Sequence, residues 1–225
     1  MKTLRPYQNP RIKKHLASGQ DVLIGSCPDI LIGEIVFRFG HVEGFVLDVG
    51  CGAGDPTRIL EGLCKHIVGF DVLRAFDKSN VSPNLDFCLG DAIRLPFRDE
   101  CFDAVVSFDV IEHVKDDLSF LLEIRRVMKE GAKLLLGTPN GGRLSNRMKG
   151  LVKPVEYPLV LGEGCVHLRE YSKNSLGHLL KAAGFKSVRI KGVWLGLRAS
   201  LEVGISKFPR YLEKYSQYWL VEAVL

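Results

Sequence analysis

The sequence lacks the long apolar segments of membrane-spanning and secreted chains. It contains no window of about 18 uncharged apolar residues, since even residues 30–39 include Glu34 and Arg38. The basic first residues run into the polar residues 8–10 without the apolar segment of a signal peptide. These absences argue against a transmembrane helix and a secretory signal, and we expect a cytoplasmic protein.

Cysteine pairs and zinc-type spacings are absent as well. The cysteines lie far apart, with no C-x-x-C pair and no cysteine–histidine spacing typical of a zinc site. They are Cys27, Cys51, Cys64, Cys88, Cys101 and Cys165. We expect buried, reduced thiols, as in cytosolic proteins, and no metal site.

A strong excess of either charge is missing too. The chain has 31 Lys and Arg against 26 Asp and Glu, a formal charge of +5, which is short of the dense basic patches of a dedicated nucleic-acid binder. Nucleic acid is therefore an open but not a favoured partner. With 225 residues, 46% of them hydrophobic, the chain suits one globular domain and is too short for two cores of typical size.

Strand-like and helix-like segments alternate through the middle of the chain. Short apolar runs bounded by glycine or aspartate predict strands, and apolar residues at every third or fourth position predict helices. The predicted strands are residues 45–49, 66–70, 85–89, 102–108, 133–137, 188–194 and 219–225. The alternation predicts an α/β fold, a mainly parallel sheet with helices on both faces.

Capping residues mark the starts of three predicted helices. We expect Asp55 to cap a helix whose first residue is Pro56, Asp116 or Asp117 to cap the next, and Ser172 to cap a third. The predicted inner residues of the second helix are Leu118, Leu121, Leu122 and Met128, with Gly131 at its carboxyl end in a positive-φ conformation.

The chain is predicted to be a single domain, residues 1–225, with three parts. Residues 1–43 form an N-terminal helical cap, residues 44–194 the core, and residues 195–225 a C-terminal extension with the last strand. The connection at residues 139–171 is long and rich in glycine and proline. Long loops in compact domains are often lids or binding loops, so we expect it to act as a lid.

Distinctive groups follow four successive predicted strands. A glycine turn at residues 50–54 follows the first, Asp71 the second, Asp91 the third and residues 107–113 the fourth. Ligands of open α/β sheets bind beyond the carboxyl ends of the strands. Glycine main chain allows close approach, Asp71 can accept hydrogen bonds from two ribose hydroxyls, and Asp91 can accept one from the amine of a base, beside the N–H of Ala92. Together they predict a nucleoside pocket.

The glycine pattern argues against a dinucleotide. A G-x-G-x-x-G fingerprint needs its third glycine at position 55, which is Asp, and a carboxylate there would repel phosphates. The pattern present is Asp48-x-Gly50-x-Gly52-x-Gly54. Because an acid just before the turn can face an ammonium group, the pattern favours a cofactor with an amino-acid end and no phosphate.

These segments resemble a known family. The run VLDVGCGAG at residues 46–54 closely resembles the first motif of class I S-adenosylmethionine-dependent methyltransferases. VGFD at 68–71, GDA at 90–92, and FDAVVS through EHV at 102–114 resemble the next three motifs, in order and with suitable separations. The resemblance covers roughly residues 44–194.

The resemblance implies a Rossmann-like sheet of seven strands with the last strand antiparallel, and S-adenosylmethionine as the cofactor. It assigns the methionine part of the cofactor to Gly50, Cys51, Gly52 and Gly54, and its ammonium end to Asp48. It assigns the ribose to Asp71, the adenine to Val72, Asp91 and Ala92, and the surroundings of the sulfonium to Ser107 and Phe108.

A base near the acceptor is expected if the methyl group goes to a hydroxyl. His113, beside Glu112 after the fourth strand, is the predicted base, since a neutral imidazole titrates near pH 7; His167 is a second candidate. The basic residues of the long loop form either a solvated face or a contact to an anionic group of the acceptor. They are Arg143, Arg147, Lys149 and Lys153.

The predicted function is methyl transfer to a small or medium-sized acceptor, with O-methylation slightly favoured over N- or C-methylation. An RNA or protein methyltransferase, a nucleotide-binding oxidoreductase and a non-catalytic binding protein are the alternatives, because a fold does not determine an acceptor. The oligomeric state is left open.

Overall fold

The computed structural model describes most of the predicted core and the end of the chain. The described residues are 24–25, 34–35, 38–73, 75–76, 82–150, 157, 167–195, 204–205 and 208–225. Most of the predicted N-terminal cap and much of the predicted lid lie outside them, as do Cys27, Cys165 and Lys153.

Seven strands form the main sheet. In chain order they are β1 (Val42–Val49), β2 (Cys64–Asp71), β3 (Leu85–Leu89), β4 (Phe102–Phe108), β5 (Met128–Pro139), β6 (Ser187–Val193) and β7 (Tyr218–Val224). Their spatial order is β3-β2-β1-β4-β5-β7-β6. Strands β1 to β5 pair in parallel, whereas β7 is antiparallel to both β5 and β6. The predicted seven-stranded sheet with an antiparallel last strand is confirmed.

The central strands pack into a hydrophobic core on each side. Val46 and Val106 belong to one core, and Leu47 and Val105 to the other; all four are fully buried. Neighbouring side chains of a strand point to opposite faces, so a strand covered on both faces must be apolar at successive positions. This is why residues 45–47 of β1 and 104–106 of β4 are apolar at successive positions rather than alternating.

Helices cover both faces, as predicted. They are α1 (Asp55–Leu60), α2 (Asp117–Val127), α3 (Leu144–Gly150) and α4 (Lys173–Ala182), with 3₁₀ turns at Glu61–Leu63 and Arg210–Tyr215. Leu60 of α1 packs in one core, and Leu121 of α2 and Leu176 of α4 pack in the other. A short antiparallel pair joins Ile24–Gly25 to Gly204–Ile205. Within the described residues, no helix has the length and apolarity needed to cross a bilayer.

Two of the predicted helix caps are confirmed. The side chain of Asp116 accepts a hydrogen bond from the N–H of Ser119 at the start of α2. Ser172 and Ser175 form a reciprocal capping box at the start of α4. The third prediction is wrong: α1 begins at Asp55, and its N-cap is Gly54 at φ +87°. A left-handed residue just before the helix is accessible to glycine at little cost, so the turn itself starts α1.

The predicted inner face of α2 is partly wrong. Its buried residues are Phe120, Leu121, Ile124 and Val127, whereas Leu118 and Leu122 are 38% and 42% exposed. Both faces of this helix carry apolar side chains at helical spacing, so the periodicity does not choose between them. The orientation that α2 adopts buries its largest apolar side chain, the ring of Phe120, completely in the core.

Strand β5 begins earlier than predicted, at Met128. Gly131 has the predicted positive φ, at +74°, but it lies within β5 rather than at the end of α2. The pairing of β4 with β5 is irregular there, between the pairs Phe102–Met128 and Ala104–Lys133. The glycine therefore allows an irregularity in the strand, which is a common role of glycine within strands.

Candidate cofactor and acceptor site

The glycine turn after β1 is held tightly at its first residues. Gly50, Gly52 and Gly54 have φ values of +81°, +52° and +87°. The N–H groups of Gly50 and Cys51 both donate to the carbonyl of Phe70 in β2, at 2.7 and 3.1 Å. A Cβ on Gly50 would lie 2.0 Å from Cγ2 of Val110. Position 50 therefore requires glycine for both its conformation and its neighbours.

Gly52, in the middle of the turn, faces open space. Apart from Gly52 itself and its two neighbours in the chain, no atom of the described residues lies within 4 Å of the position that its Cβ would occupy. At Gly54, by contrast, a Cβ would lie 2.8 Å from the ring of Phe87. Bare main chain is thus presented at Gly52, and a ligand can approach it as closely as a backbone permits.

Asp71, at the end of β2, is joined directly to this turn. Its Oδ2 accepts a hydrogen bond from the N–H of Gly52 at 2.8 Å, and its Oδ1 accepts one from the N–H of Leu73 at 2.8 Å. These donors orient the carboxylate, and each oxygen keeps acceptor capacity for a further donor. Val72 is 71% exposed. An oriented acid and a bare apolar side chain therefore lie side by side.

Asp48 is buried in β1, two residues before the turn. It is 2% exposed, and its Oδ2 accepts a hydrogen bond from the hydroxyl of Thr57 at 2.6 Å. Burial raises the pKa of Asp48 to about 7, the charge of Asp71 adds to the shift, and the Thr57 hydroxyl opposes it. A cation beside Asp48 would favour the ionised carboxylate.

The side chain of Cys51 is not suited to act as a nucleophile. The residue is 3% exposed, its Sγ lies 3.1 Å from the position that a Cβ on Gly69 would occupy, and burial raises the pKa of its thiol to about 12. Cys51 can therefore contribute to a ligand site through its main chain. The other described cysteines, Cys64, Cys88 and Cys101, are free thiols as well.

Asp91 and Ala92 follow β3, which lies beside β2. The N–H of Gly90 donates to the carbonyl of Asp71 at 3.0 Å, so the ends of these two strands are linked. The Asp91 side chain is exposed, and its Oδ1 accepts a hydrogen bond from the N–H of Ile93 at 3.1 Å. Ala92 is half-buried and packs against the core. The sheet thus brings the acids at 71 and 91 to the same edge.

The side chains of Ser107 and Phe108, at the end of β4, make their main contacts with other residues of the protein. Ser107 is 1% exposed, and its hydroxyl donates to the carbonyl of Val49 at 2.9 Å. The ring of Phe108 is half-buried and lies against Gly137, where a Cβ would be 2.5 Å from it. The Ser107 hydroxyl therefore ties β4 to the end of β1, immediately before the glycine turn.

Beyond β4 lies a set of ionisable side chains that we call the Glu–His cluster: Glu112, His113, His167 and Glu170. Glu112 is fully buried, and its Oε2 accepts a hydrogen bond from the hydroxyl of Thr138 at 2.9 Å. His113 Nε2 lies 4.0 Å from Glu112 Oε1, and the rings of His113 and His167 are 5.0 Å apart. Burial, and then the charge of Asp109, raises the pKa of Glu112.

Glu170 organises the far side of this cluster. Its Oε1 lies 3.0 Å from Nδ1 of His167, and its Oε2 accepts hydrogen bonds from Arg143 at 2.5 Å and from Asn146 at 2.8 Å. The hydrogen bond with Glu170 raises the pKa of His167. Burial opposes ionisation of Glu170, yet the bonds from His167 and Arg143 lower its pKa. The cluster is therefore a connected hydrogen-bond network.

The predicted basic patch is only partly a solvated face. Arg143 is bonded to Glu170 inside the cluster, and the guanidinium of Arg147 lies 5.2 Å from the ring centre of Tyr215. One of the basic residues thus acts as a structural partner of an acid rather than as a free cation.

Several residues of this region were not predicted from the sequence. The hydroxyl of Tyr218 in β7 donates to Asp109, which has a positive φ of 55° at the turn after β4. Glu170 and Thr138 were also missed. The spacing of three between His167 and Glu170 was a usable signal, whereas the contact of Tyr218 depends on the strand order.

A seven-stranded sheet in this order, with a glycine turn after β1 and an acid after β2, defines the class I methyltransferase fold. A solved S-adenosylmethionine-dependent methyltransferase of Archaeoglobus fulgidus has a TM-score of 0.61 at 17% identity, over 88% of this chain and 94% of that one. A phosphoethanolamine N-methyltransferase of Haemonchus contortus, solved with S-adenosylhomocysteine, has a TM-score of 0.62 at 20% identity, over 87% and 52%.

Sequence comparisons agree with the fold. The family model described as a methyltransferase domain matches residues 47–136. A Mycolicibacterium smegmatis protein named for S-adenosylmethionine-dependent methyltransferase activity is 31% identical over 157 residues, 67% of this chain and 55% of the relative. An O-methyltransferase of Penicillium expansum is 26% identical over 78% of this chain and 64% of the relative. The chain spans about half the length of the first curated relatives it matches.

The chain belongs to the class I S-adenosylmethionine-dependent methyltransferases. The residues present fit the cofactor of that family. Gly52 offers open main chain, Asp71 is an oriented acceptor with spare capacity, Val72 is a bare apolar side chain, and Asp48 is a buried acid that a cation would stabilise.

Proposed function

We propose that this chain transfers a methyl group from S-adenosylmethionine to a hydroxyl of a small or medium-sized acceptor. When bound, the cofactor supplies a methyl group that is already activated on a sulfonium sulfur. The protein then has to orient the acceptor, exclude water and accept a proton from the hydroxyl. The residues at the carboxyl ends of β1 to β4 supply these functions.

The observation that carries the proposal is the direct link between the glycine turn and Asp71. The hydrogen bond from Gly52 to Asp71 and the one from Gly90 to the carbonyl of Asp71 hold three strand ends in one arrangement. This arrangement supports binding of the methionine part along residues 50–54, of the ribose at Asp71, and of adenine between Val72 and the Asp91–Ala92 segment. Asp48 would face the ammonium end, and Cys51 would contribute main chain.

The acceptor would lie beyond β4, near Phe108 and the Glu–His cluster. His113 is the residue that we propose activates the hydroxyl, with His167 as its neighbour. Ser107 would support this edge indirectly, through its bond to Val49. Relatives whose names give an acceptor point to small molecules: a ubiquinone biosynthesis O-methyltransferase of Maricaulis maris, 29% identical over 55% of this chain and 59% of the relative, and a 27-O-demethylrifamycin SV methyltransferase of Amycolatopsis mediterranei, 30% identical over 63% of this chain and 57% of the relative.

Cofactor binding is tested by calorimetric titration with S-adenosylhomocysteine and, separately, with NAD. We expect S-adenosylhomocysteine to bind and NAD not to bind. Asp71→Ala is expected to weaken binding by about 1–3 kcal/mol, because ribose hydroxyls lose a charged acceptor. Asp86→Ala is the matched control, since Asp86 is an exposed aspartate of β3 whose partner is His66. Preferential binding of NAD, or equal losses in the two variants, would contradict the proposal.

The acceptor is tested with cofactor carrying a ¹³C-labelled methyl group. A cell lysate is separated into lipids, small metabolites, RNA and protein, and each fraction is incubated with the enzyme. We expect label in the lipid or small-metabolite fraction, with a methyl carbon shift typical of an ether or ester. Label on RNA or protein would refute the small-acceptor assignment and leave methyl transfer itself intact.

A further inference from the structure

We propose that Glu112, His113 and His167 bind one divalent transition-metal ion of the Zn²⁺ type. The role of the ion, which is to hold the acceptor oxygen beside the cofactor, rests on the proposed function, but the binding site does not. No metal site is predicted from the sequence, which lacks cysteine pairs and zinc-type cysteine–histidine spacings, and Glu112–His113 and His167 lie far apart in the chain. The fold brings them together.

The three side chains converge on one point. One carboxylate oxygen and one nitrogen from each ring lie within 4.8 Å of one another, and Glu112 Oε1 and His113 Nε2 are 4.0 Å apart. Bonds of about 2.0–2.1 Å to zinc place tetrahedral ligands about 3.3 Å apart. Closing around an ion thus requires small side-chain movements of about an ångström.

An orphaned acceptor points into this space. Glu112 is fully buried, and its Oε2 is bonded to Thr138, but its Oε1 has no hydrogen-bond partner among the residues that the structure describes. A buried polar atom without a partner is costly and rare. A cation bound at Oε1 supplies the missing partner.

The surrounding residues orient the ligands. Nδ1 of His167 lies 3.0 Å from Glu170, which leaves Nε2 as the nitrogen available to a metal. Glu170 is itself held by Arg143 and Asn146. Metal-binding histidines usually donate their other ring N–H to a carboxylate, a backbone carbonyl or water, which orients the ring and increases its basicity. Thr138 orients Glu112 in the same way.

The ligand set indicates the class of ion and its use. Two imidazoles and one carboxylate bind Zn²⁺ and related first-row ions and leave positions open for non-protein ligands. Asp109, whose charge acts on Glu112, adds to the negative field. A hydroxyl that contacts such an ion would have a lower pKa and would release its proton to solvent water more readily, so His113 would contribute to activation of the acceptor as a ligand rather than as the base itself.

The test is a calorimetric titration of the chelator-treated full chain with Zn²⁺, together with the visible absorption spectrum of the Co²⁺-loaded protein. We expect one tight equivalent of Zn²⁺. Glu112→Gln and His167→Ala should abolish it, and Glu170→Gln should weaken it by about 10–100-fold. His178→Ala, which removes an exposed histidine of α4, should leave it unchanged. Circular dichroism shows whether each variant is folded, and the nearly isosteric Glu112→Gln and Glu170→Gln suffice if His167→Ala does not fold.

Binding of S-adenosylhomocysteine is measured on the same samples. Wild-type protein that binds S-adenosylhomocysteine but no Zn²⁺ would overturn the metal site and leave the proposed function standing. Zn²⁺ binding that His178→Ala removes as effectively as Glu112→Gln would also overturn it. Zn²⁺ binding without S-adenosylhomocysteine binding would support the metal site and refute the proposed function.

Discussion

Substitution of Gly52 by alanine separates a role in ligand binding from a role in folding. Gly52 has φ +52°, and nothing lies within 4 Å of its Cβ position among the described residues. The left-handed conformation costs an alanine about 1–2 kcal/mol, and reduced entropy of the unfolded chain offsets about 0.4–1 kcal/mol of this. The net loss of about 1 kcal/mol should lower the melting temperature by about 2–4 °C in a chain of this size.

Gly131→Ala is the matched control. Gly131 has φ +74°, and its Cβ position is equally open, but it lies near the amino end of β5, away from the edge that carries the glycine turn. We expect the two variants to lose similar stability. Only Gly52→Ala should lose affinity for S-adenosylhomocysteine, by at least about tenfold or 1.4 kcal/mol, because its methyl group occupies the space where the ligand rests.

The assays are differential scanning calorimetry for stability and isothermal titration calorimetry for affinity. If Gly52→Ala binds S-adenosylhomocysteine as tightly as wild type, the cofactor does not lie against the turn. If Gly131→Ala loses affinity equally, the effect comes from general loss of stability, and the reasoning from the open Cβ position is refuted.

Three further predictions concern pH, packing and the sheet edge. Burial raises the pKa of Asp48 to about 7, so affinity for S-adenosylhomocysteine should increase about tenfold per pH unit from about pH 5 and level off above about pH 7, as the acid ionises to meet the ammonium group; a flat titration profile would contradict this. Phe120→Ala should cost about 3–5 kcal/mol in chemical denaturation and Leu122→Ala under about 1; equal losses would refute the assigned face of α2. Ser107→Ala, which leaves the Val49 carbonyl without its donor, should cost about 1 kcal/mol, and unchanged stability would argue against that bond.

Local features were predictable because neighbours in the chain decide them. The positive φ of Gly131, the helix cap at Ser172 and the apolar residues 45–47 of β1 depend on residues within a few positions. The cap at Asp55 was the exception. There the helix begins one residue earlier than predicted, because Gly54, in the left-handed conformation, is its N-cap.

Contacts between distant segments were not predictable in the same way. The local pattern does not distinguish the exposed Leu122 from the buried Phe120, because each belongs to a set of apolar residues at helical spacing in α2. Only the position of the sheet determines which of these faces is buried. The contact of Tyr218 with Asp109 requires β7 to enter between β5 and β6, which is a property of the whole sheet.

The sequence by itself determined the order of strands and helices and the glycine turn, since short-range sterics and hydrophobic burial specify them. It thereby also determined where the acids at 48, 71 and 91 lie relative to the strands and the turn. Only the tertiary structure decided that Glu112, His113, His167 and Glu170 form one network. Their segments are far apart in the chain, and the packing of residues 167–170 against the turn after β4, with the N–H of Leu168 bonded to the carbonyl of Glu112, is what brings a buried carboxylate, two imidazoles and a second acid together.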